Sequence, residues 1–294
     1  MKAKRYSLYT PRAFRVAAAI ARCLPAPGLR WVARRLAEAN YWCLPRFRKM
    51  VRDNLRRVVN GHRPLEQAVR QNFRNFAESL ADYVRFENLR PEDIGNVVVE
   101  NSGLEHLDAA LARKRGAIIV TAHLGNWELG GMLCATRGYP VSAITLEEAI
   151  DELTAMRENY RGSHGVQTIR IGKSPFAPVP IIHQLQQNGI VAMLVDRPPA
   201  ESAQEVTFFG APAKFSSAPA FLAHLTGAMV VPAFVVGIGQ GRYRAFMEPP
   251  LAMEGGDLST AVVANTQRLA AVFERVIADY ADQWYHFVPI WDRA

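Results

Sequence analysis

The sequence predicts an α/β layered fold, with a largely parallel central sheet flanked by helices and a basic helical N-terminal arm in front of it. Three observations carry that prediction. Short apolar runs alternate with amphipathic helical segments after residue 96, residues 12–89 show helical periodicity, and the positive charge is concentrated at one end.

Composition allows a substantial core. Of 294 residues, 49% are hydrophobic and 21% charged, which excludes a disordered chain. No linker-like stretch and no repeat of fixed period divides the chain. The expected organisation is an arm over residues 1–60 and a single domain over residues 61–294.

The arm comes first in the chain. The net charge is +8, yet residues 1–60 alone hold 15 Lys or Arg against Glu38 and Asp53, a balance of +13 that leaves −5 for the remainder. Phe14, Trp31, Tyr41, Trp42 and Phe47 are interleaved among the arginines. A secretory signal needs an uninterrupted apolar stretch of roughly 7–15 residues, and Arg15 and Arg22 leave only the six of VAAAIA. A membrane-spanning helix needs roughly 20 predominantly apolar residues, and no such run occurs. A basic, aromatic-bearing amphipathic segment lying in the headgroups of an anionic membrane surface fits the pattern. A nucleic-acid-binding arm and a plain solvated helix face are the rivals. The acidic remainder and the lack of any nucleic-acid motif argue against the former.

Residues 64–89, PLEQAVRQNFRNFAESLADYVRFENL, place Val69, Phe73, Phe76, Leu80 and Tyr83 at spacings of three and four, which predicts a helix packed on the domain by that stripe. Strands are expected at 96–100, 116–122, 139–145, 166–171 and 189–196. Helices are expected between them at 104–114, 126–137, 147–161 and 176–187, the last broken early by its prolines. Residues 229–251 read as two strands turned at Gly239 and Gly241. Their Gly-x-Gly-x-Gly opens no helix, so a dinucleotide site is excluded. A final helix over roughly 258–281 buries Val262, Thr266, Leu269, Phe273 and Ile277.

Cys23, Cys43 and Cys134 form no CxxC pair and are odd in number, which fits a reducing compartment. The histidines are scattered, so neither a metal nor a bound cofactor is expected.

Sites in open α/β sheets gather at the carboxyl ends of strands. The apolar strand GAIIVTA ends immediately before His123 in HLGNWELGG, and Glu128 follows five residues later. On a regular helix five residues turn through about 500°, so the two side chains would face apart. They meet if His123 ends the strand, Gly125 permits a tight turn and Glu128 sits in the first turn of the next helix. Glu128 would then accept the proton of one imidazole nitrogen and leave the other as a base, with the nucleophile coming from the substrate.

HLGNWE (123–128), preceded by GLEHLDAALARKRGAIIVTA, resembles the signature of the bacterial lipid A biosynthesis acyltransferases, the lauroyl and myristoyl transferases. Further matches are the strand end at Asp196, VTFFGAPAKF (206–215) and APAFLAHLTGAMVVPAF (218–234), so the resemblance spans roughly residues 100–235. It implies transfer of a fatty acyl chain from acyl carrier protein, or from acyl-CoA in related glycolipid acyltransferases, to a hydroxyl of a lipid or glycolipid acceptor. It also implies a peripheral or monotopic place at the cytoplasmic face of the bacterial inner membrane, and lipid A or lipopolysaccharide synthesis as the setting.

The family's catalytic His and Glu fall on His123 and Glu128. Its substrate-binding arginine falls on Arg161, ahead of Gly165, with Arg157 as the competing assignment. Such an arginine binds a phosphate, stabilises an oxyanion, or does no more than form a surface salt bridge. Asn126, Asp196, Arg197, Phe208 and Phe209 are expected to line the site or support it, the two phenylalanines against an acyl chain or the core, and no chemical step is assigned to them. Three departures stand out: the N-terminal anchor is short and arginine-interrupted, AITLEEAID (143–151) replaces a Tyr-Arg-Pro block, and QWYHFVPIWDR (283–293) replaces a basic run. The resemblance therefore implies the superfamily and not the acceptor. A lysophospholipid-type or other lipid acyltransferase and a non-catalytic lipid-binding protein are the alternatives. A thioester hydrolase is disfavoured, since no Gly-x-Ser-x-Gly elbow occurs.

Overall fold

The computed structural model describes residues 24–59, 63–87, 89–146, 151–172 and 178–291. The apolar stretch at 16–21 and Phe14 lie outside them, as do residues 147–150 and 173–177. In chain order the described strands are β1 (Val98–Ser102), β2 (Ala117–Thr121), β3 (Val141–Leu146), β4 (Gln167–Ile171), β5 (Ile190–Leu194), β6 (Ala203–Phe208), β7 (Ala211–Ser216), β8 (Met229–Gly239) and β9 (Arg242–Met247). The described helices are α1 (Ala26–Cys43), α2 (Pro45–Val58), α3 (Leu65–Phe86), α4 (Ile94–Val97), α5 (Leu104–Ala112), α6 (Trp127–Thr136), α7 (Asp151–Ser163), α8 (Val179–Gln186), α9 (Ala218–Thr226) and α10 (Leu258–Asp279).

Seven strands form one sheet in the order β1-β9-β8-β2-β5-β3-β4. Neighbours run parallel except β8 and β9, the hairpin turned at Gly239 and Gly241 as the sequence predicts. The central strands AIIVT and IVAML are apolar on both faces because helices cover both. Ala117, Ile118, Val120, Ile190 and Val191 are fully buried.

Two local differences from the sequence reading have physical causes. The first strand begins at Val98, because residues 94–97 wind into α4. VTFFGAPAKF, read only as a family block, folds into the separate antiparallel hairpin β6–β7. Its turn places Phe209 at φ 49° and Gly210 at φ 71°, the two positive angles of a tight hairpin turn.

The stripe on α3 also divides. Val69 and Phe73 are buried, whereas Leu80 is 44% exposed. The far half of α3 is gripped by α1 through Ala81 and Val84 against Leu29 and Ala33, which rotates the buried face away from Leu80. Asp82 fastens the same junction: fully buried, it accepts from Tyr243 Oη on β9 at 2.8 Å and pairs with Arg30 on α1 at 3.4 Å.

α2 is amphipathic. Its Val51, Leu55 and Val58 enter the main core with Phe273 and Trp284, while Arg46, Lys49, Arg56 and Arg57 face solvent. On α1, Trp31, Leu36 and Trp42 are exposed. Among the described residues no helix is long and apolar enough to cross a membrane.

Candidate active site

His123 and Asp196 are brought together by strand register. β2 and β5 are parallel neighbours with Thr121 opposite Leu194, so two residues further on each strand His123 stands opposite Asp196. The imidazole Nδ1 lies 2.7 Å from Asp196 Oδ1, and the His123 backbone N–H donates to Oδ2 at 3.1 Å. The carboxylate is buried at 2% exposure. Burial pushes its pKa up, but the charge and hydrogen bond of His123, with His286 and Arg197 close by, outweigh that and hold it well below the usual range. An ionised carboxylate only accepts, so Nδ1 carries the proton and Nε2 is left as the base.

The chain leaves β2 through the predicted turn. Gly125 has φ 61°, and a Cβ there would meet the Val235 carbonyl oxygen at 2.0 Å, so no other residue fits. Asn126 follows, buried, with its backbone N–H on the Val235 carbonyl at 2.8 Å and its Oδ1 capping α6 by accepting from Leu129 N at 3.2 Å. Through these two bonds it supports the turn and the helix start.

Glu128 does occupy the first turn of α6, but its carboxylate is engaged elsewhere. Arg161 of α7 binds it in a fork, Nη2 to Oε1 at 2.7 Å and Nε to Oε2 at 2.9 Å, and gives Nη1 to Thr145. Burial opposes the Arg161 charge, yet the hydrogen bond and charge of Glu128 outweigh it and raise its pKa. The expected geometry is therefore corrected: the acid on the imidazole is Asp196, and Glu128 with Arg161 forms a neighbouring buried ion pair. Tyr83 of α3, stacked on Tyr160 at 4.1 Å between ring centroids, feels the Glu128, Arg157 and Arg161 charges.

A narrow apolar cavity lies beside Trp127. It is lined by Thr121, Trp127, Gly130, Gly131, Cys134 and Phe246 among others, and the Trp127 ring stands 5.3 Å from the His123 ring. Its volume of about 80 Å³ is small beside the roughly 300–1,000 Å³ of a full ligand site, so as it stands it accepts only part of a long chain. Among the described residues no three His, Cys, Asp or Glu side chains gather as metal ligands would.

The model of one protein family, bacterial lipid A biosynthesis acyltransferase, matches residues 3–293 of this chain. The chain belongs to that family. Within it, the chain is similar to the phosphatidylinositol mannoside acyltransferase of Mycobacterium tuberculosis, 32% identical over 190 residues in both strain CDC 1551 and strain H37Rv. Those residues are 64% of this chain and 58% of that protein, so the match spans somewhat over half the length of these relatives. The enzyme of the same description from Mycolicibacterium smegmatis is 27% identical over 247 residues, 83% of this chain and 79% of its own.

The remaining expected residues of this lipid A acyltransferase family member take varied places. Arg157, one turn before Arg161 on α7, is half-buried. Arg197 donates to the Tyr285 carbonyl, beside the site. Phe208 is fully buried in the core against Phe215 and Trp284, and half-buried Phe209 sits at the hairpin turn. Sequence reasoning passed over Trp284 and His286, which approach Asp196 from its far side: the indole Nε1 donates to Oδ2 at 3.0 Å, and His286 Nε2 lies 3.2 Å from the Asp196 carbonyl.

His286 makes this corner acid-sensitive. Burial pushes its pKa down to about 4 from the ordinary 6.5 of a histidine. Between those values the folded state binds fewer protons than the unfolded chain, so stability is fully present above pH 6.5 and is lost as pH falls towards 4, by about 3 kcal/mol. Asp196, with its lowered pKa, adds a loss of the same sign at still lower pH. Urea unfolding from pH 7 to pH 4.5 is expected to show the decline, and His286→Gln is expected to flatten it over that range.

Proposed function

We propose that this protein transfers a fatty acyl group from an acyl thioester to a hydroxyl of a membrane glycolipid. The observation that carries the reading is the buried Asp196 carboxylate 2.7 Å from Nδ1 of His123, at the strand ends of a chain matched to an acyltransferase family almost throughout. His123 Nε2 removes the acceptor hydroxyl's proton, and the oxygen attacks the thioester carbonyl. Asp196 stabilises the imidazolium, and when the tetrahedral intermediate collapses the leaving thiolate takes that proton. Glu128 and Arg161 brace the helices α6 and α7 through their buried ion pair, and Arg157 is the arginine of this helix assigned to a substrate phosphate or the oxyanion. The apolar cavity beside Trp127 takes the distal part of the acyl chain.

Acyl carrier protein or acyl-CoA supplies the chain. The likeness to the mycobacterial phosphatidylinositol mannoside acyltransferases favours an acceptor like a phosphatidylinositol mannoside over a lipid A precursor. The basic segment 1–60 is proposed to lie on the anionic cytoplasmic face of the bacterial inner membrane. Trp31 and Trp42 share a face of α1 about three turns apart, with Arg35 over the first ring at 5.3 Å and Arg48 over the second at 5.7 Å. Such arginine-flanked tryptophans suit an interface where one end is apolar and the other wet.

The test incubates the protein with an acyl thioester and anionic vesicles carrying either a phosphatidylinositol mannoside or a lipid A precursor, followed by lipid mass spectrometry. The mannoside is expected to gain one acyl mass, at a rate that falls with added salt and with Trp31→Ser/Trp42→Ser. Thioester consumption with no acylated lipid would sink the reading in favour of a hydrolase.

A further inference from the structure

The segment that replaces the family's basic run, beginning at Gln283, wraps the outer side of the His123–Asp196 pair. Trp284 forms an antiparallel bridge with Leu124, Tyr285 N donates to the His123 carbonyl at 2.7 Å, and Trp284 Nε1 reaches Asp196 Oδ2 at 3.0 Å. His286 and Arg197 are the other charged or titratable neighbours of that carboxylate. The segment is itself held by two buried asparagines. Asn72 of α3 donates to the Trp284 carbonyl at 2.9 Å, and Asn54 of α2 donates to the carbonyls of His286 and Val288 at 2.8 and 2.9 Å.

Three donors therefore define the Asp196 carboxylate. Oδ1 faces the imidazole, while Oδ2 is shared by the His123 backbone N–H and the indole. The backbone donor comes from the same residue as the imidazole, so it moves with it. Trp284 is the donor that ties the carboxylate to an independent element, one at 1% exposure and packed against Phe208 and Trp291.

We propose that Trp284 is a positioning residue for acyl transfer: its indole N–H fixes the Asp196 carboxylate plane so that Oδ1 remains on His123 Nδ1 while the imidazole gains and loses its proton. Trp284 has no part in contacting substrate. The inference rests on the reading of His123 as the base oriented by Asp196.

The test replaces Trp284 by 3-benzothienylalanine, which keeps the bicyclic shape and removes only the N–H, alongside Trp284→Phe. Both are made in the wild-type and in the Asp196→Asn background, and unfolding is measured for each. Loss of a hydrogen bond to a charged group is expected to lower kcat about tenfold, with KM held within about twofold. In the Asp196→Asn background the same replacements are expected to cost almost nothing further, since they act through the missing carboxylate. Equal proportional losses in both backgrounds, or an unchanged kcat for the isosteric variant in the wild-type background, would overturn the proposal. A fully active Asp196→Asn single variant would instead overturn the underlying dyad, and the proposal with it.

Discussion

His123→Ala is expected to lower acyl transfer by about 10²–10⁴-fold, and to lower stability by about 1–3 kcal/mol because it leaves Asp196 Oδ1 buried without its imidazole partner. The loss of transfer belongs to chemistry because the side chain contributes little to packing: it is part-exposed at a strand end, and its backbone bonds to Asp196 and Tyr285 survive the substitution. Asp196→Asn is expected to fall in the same range for a different reason. An amide that turns its NH₂ towards Nδ1 favours the tautomer with the proton on Nε2, where the base should be. The double variant should be hardly slower than either single one, since the pair acts as a unit. Near-native acyl transfer by His123→Ala, measured as product lipid per unit time, would contradict the proposed mechanism outright.

Glu128→Ala is expected to cost about 3–5 kcal/mol of stability, because it leaves Arg161 as a buried cation without its forked partner. The two side chains are only 12% and 6% exposed, so water can do little to compensate. Any drop in activity of that variant has to be read against its folding. The companion is Glu128→Ala/Arg161→Met, which removes both charges and is expected to recover most of the loss in denaturant unfolding. A single variant as stable as the parent would show that the pair contributes nothing to the fold.

Much of this architecture is legible in the chain. Short apolar runs and period-3.6 patterns locate the five parallel strands, the β8–β9 hairpin and α10 to within a few residues, because burial on both faces of the central strands leaves plain apolar runs. His123 is legible for the same reason, standing where the most buried strand stops. Its partner is not. Glu128 is near in sequence and Asp196 is 73 residues away, and the register that joins the latter to His123 exists only because β5 inserts between β2 and β3. Strand order of that kind follows from packing, which no local pattern encodes. The turn of β6–β7 escapes for another reason, since a phenylalanine at positive φ is the opposite of the usual turn signal. Trp284 follows the last long helix and carries no motif, so nothing in its neighbourhood announces a hydrogen bond to a carboxylate.

The arrangement of the C-terminal segment has a consequence for how the site comes into being. The strands bearing His123 and Asp196 leave the ribosome well before residues 283–288, which hold the dyad from outside. Until that last stretch arrives, the Asp196 carboxylate lacks its indole donor and the Asn54 and Asn72 amides lack their carbonyl partners. Contacts of such long sequence separation close late. The nascent chain thus presents its basic helices α1 and α2 before the His123–Asp196 pair has its outer support, which comes only with this long-range closure.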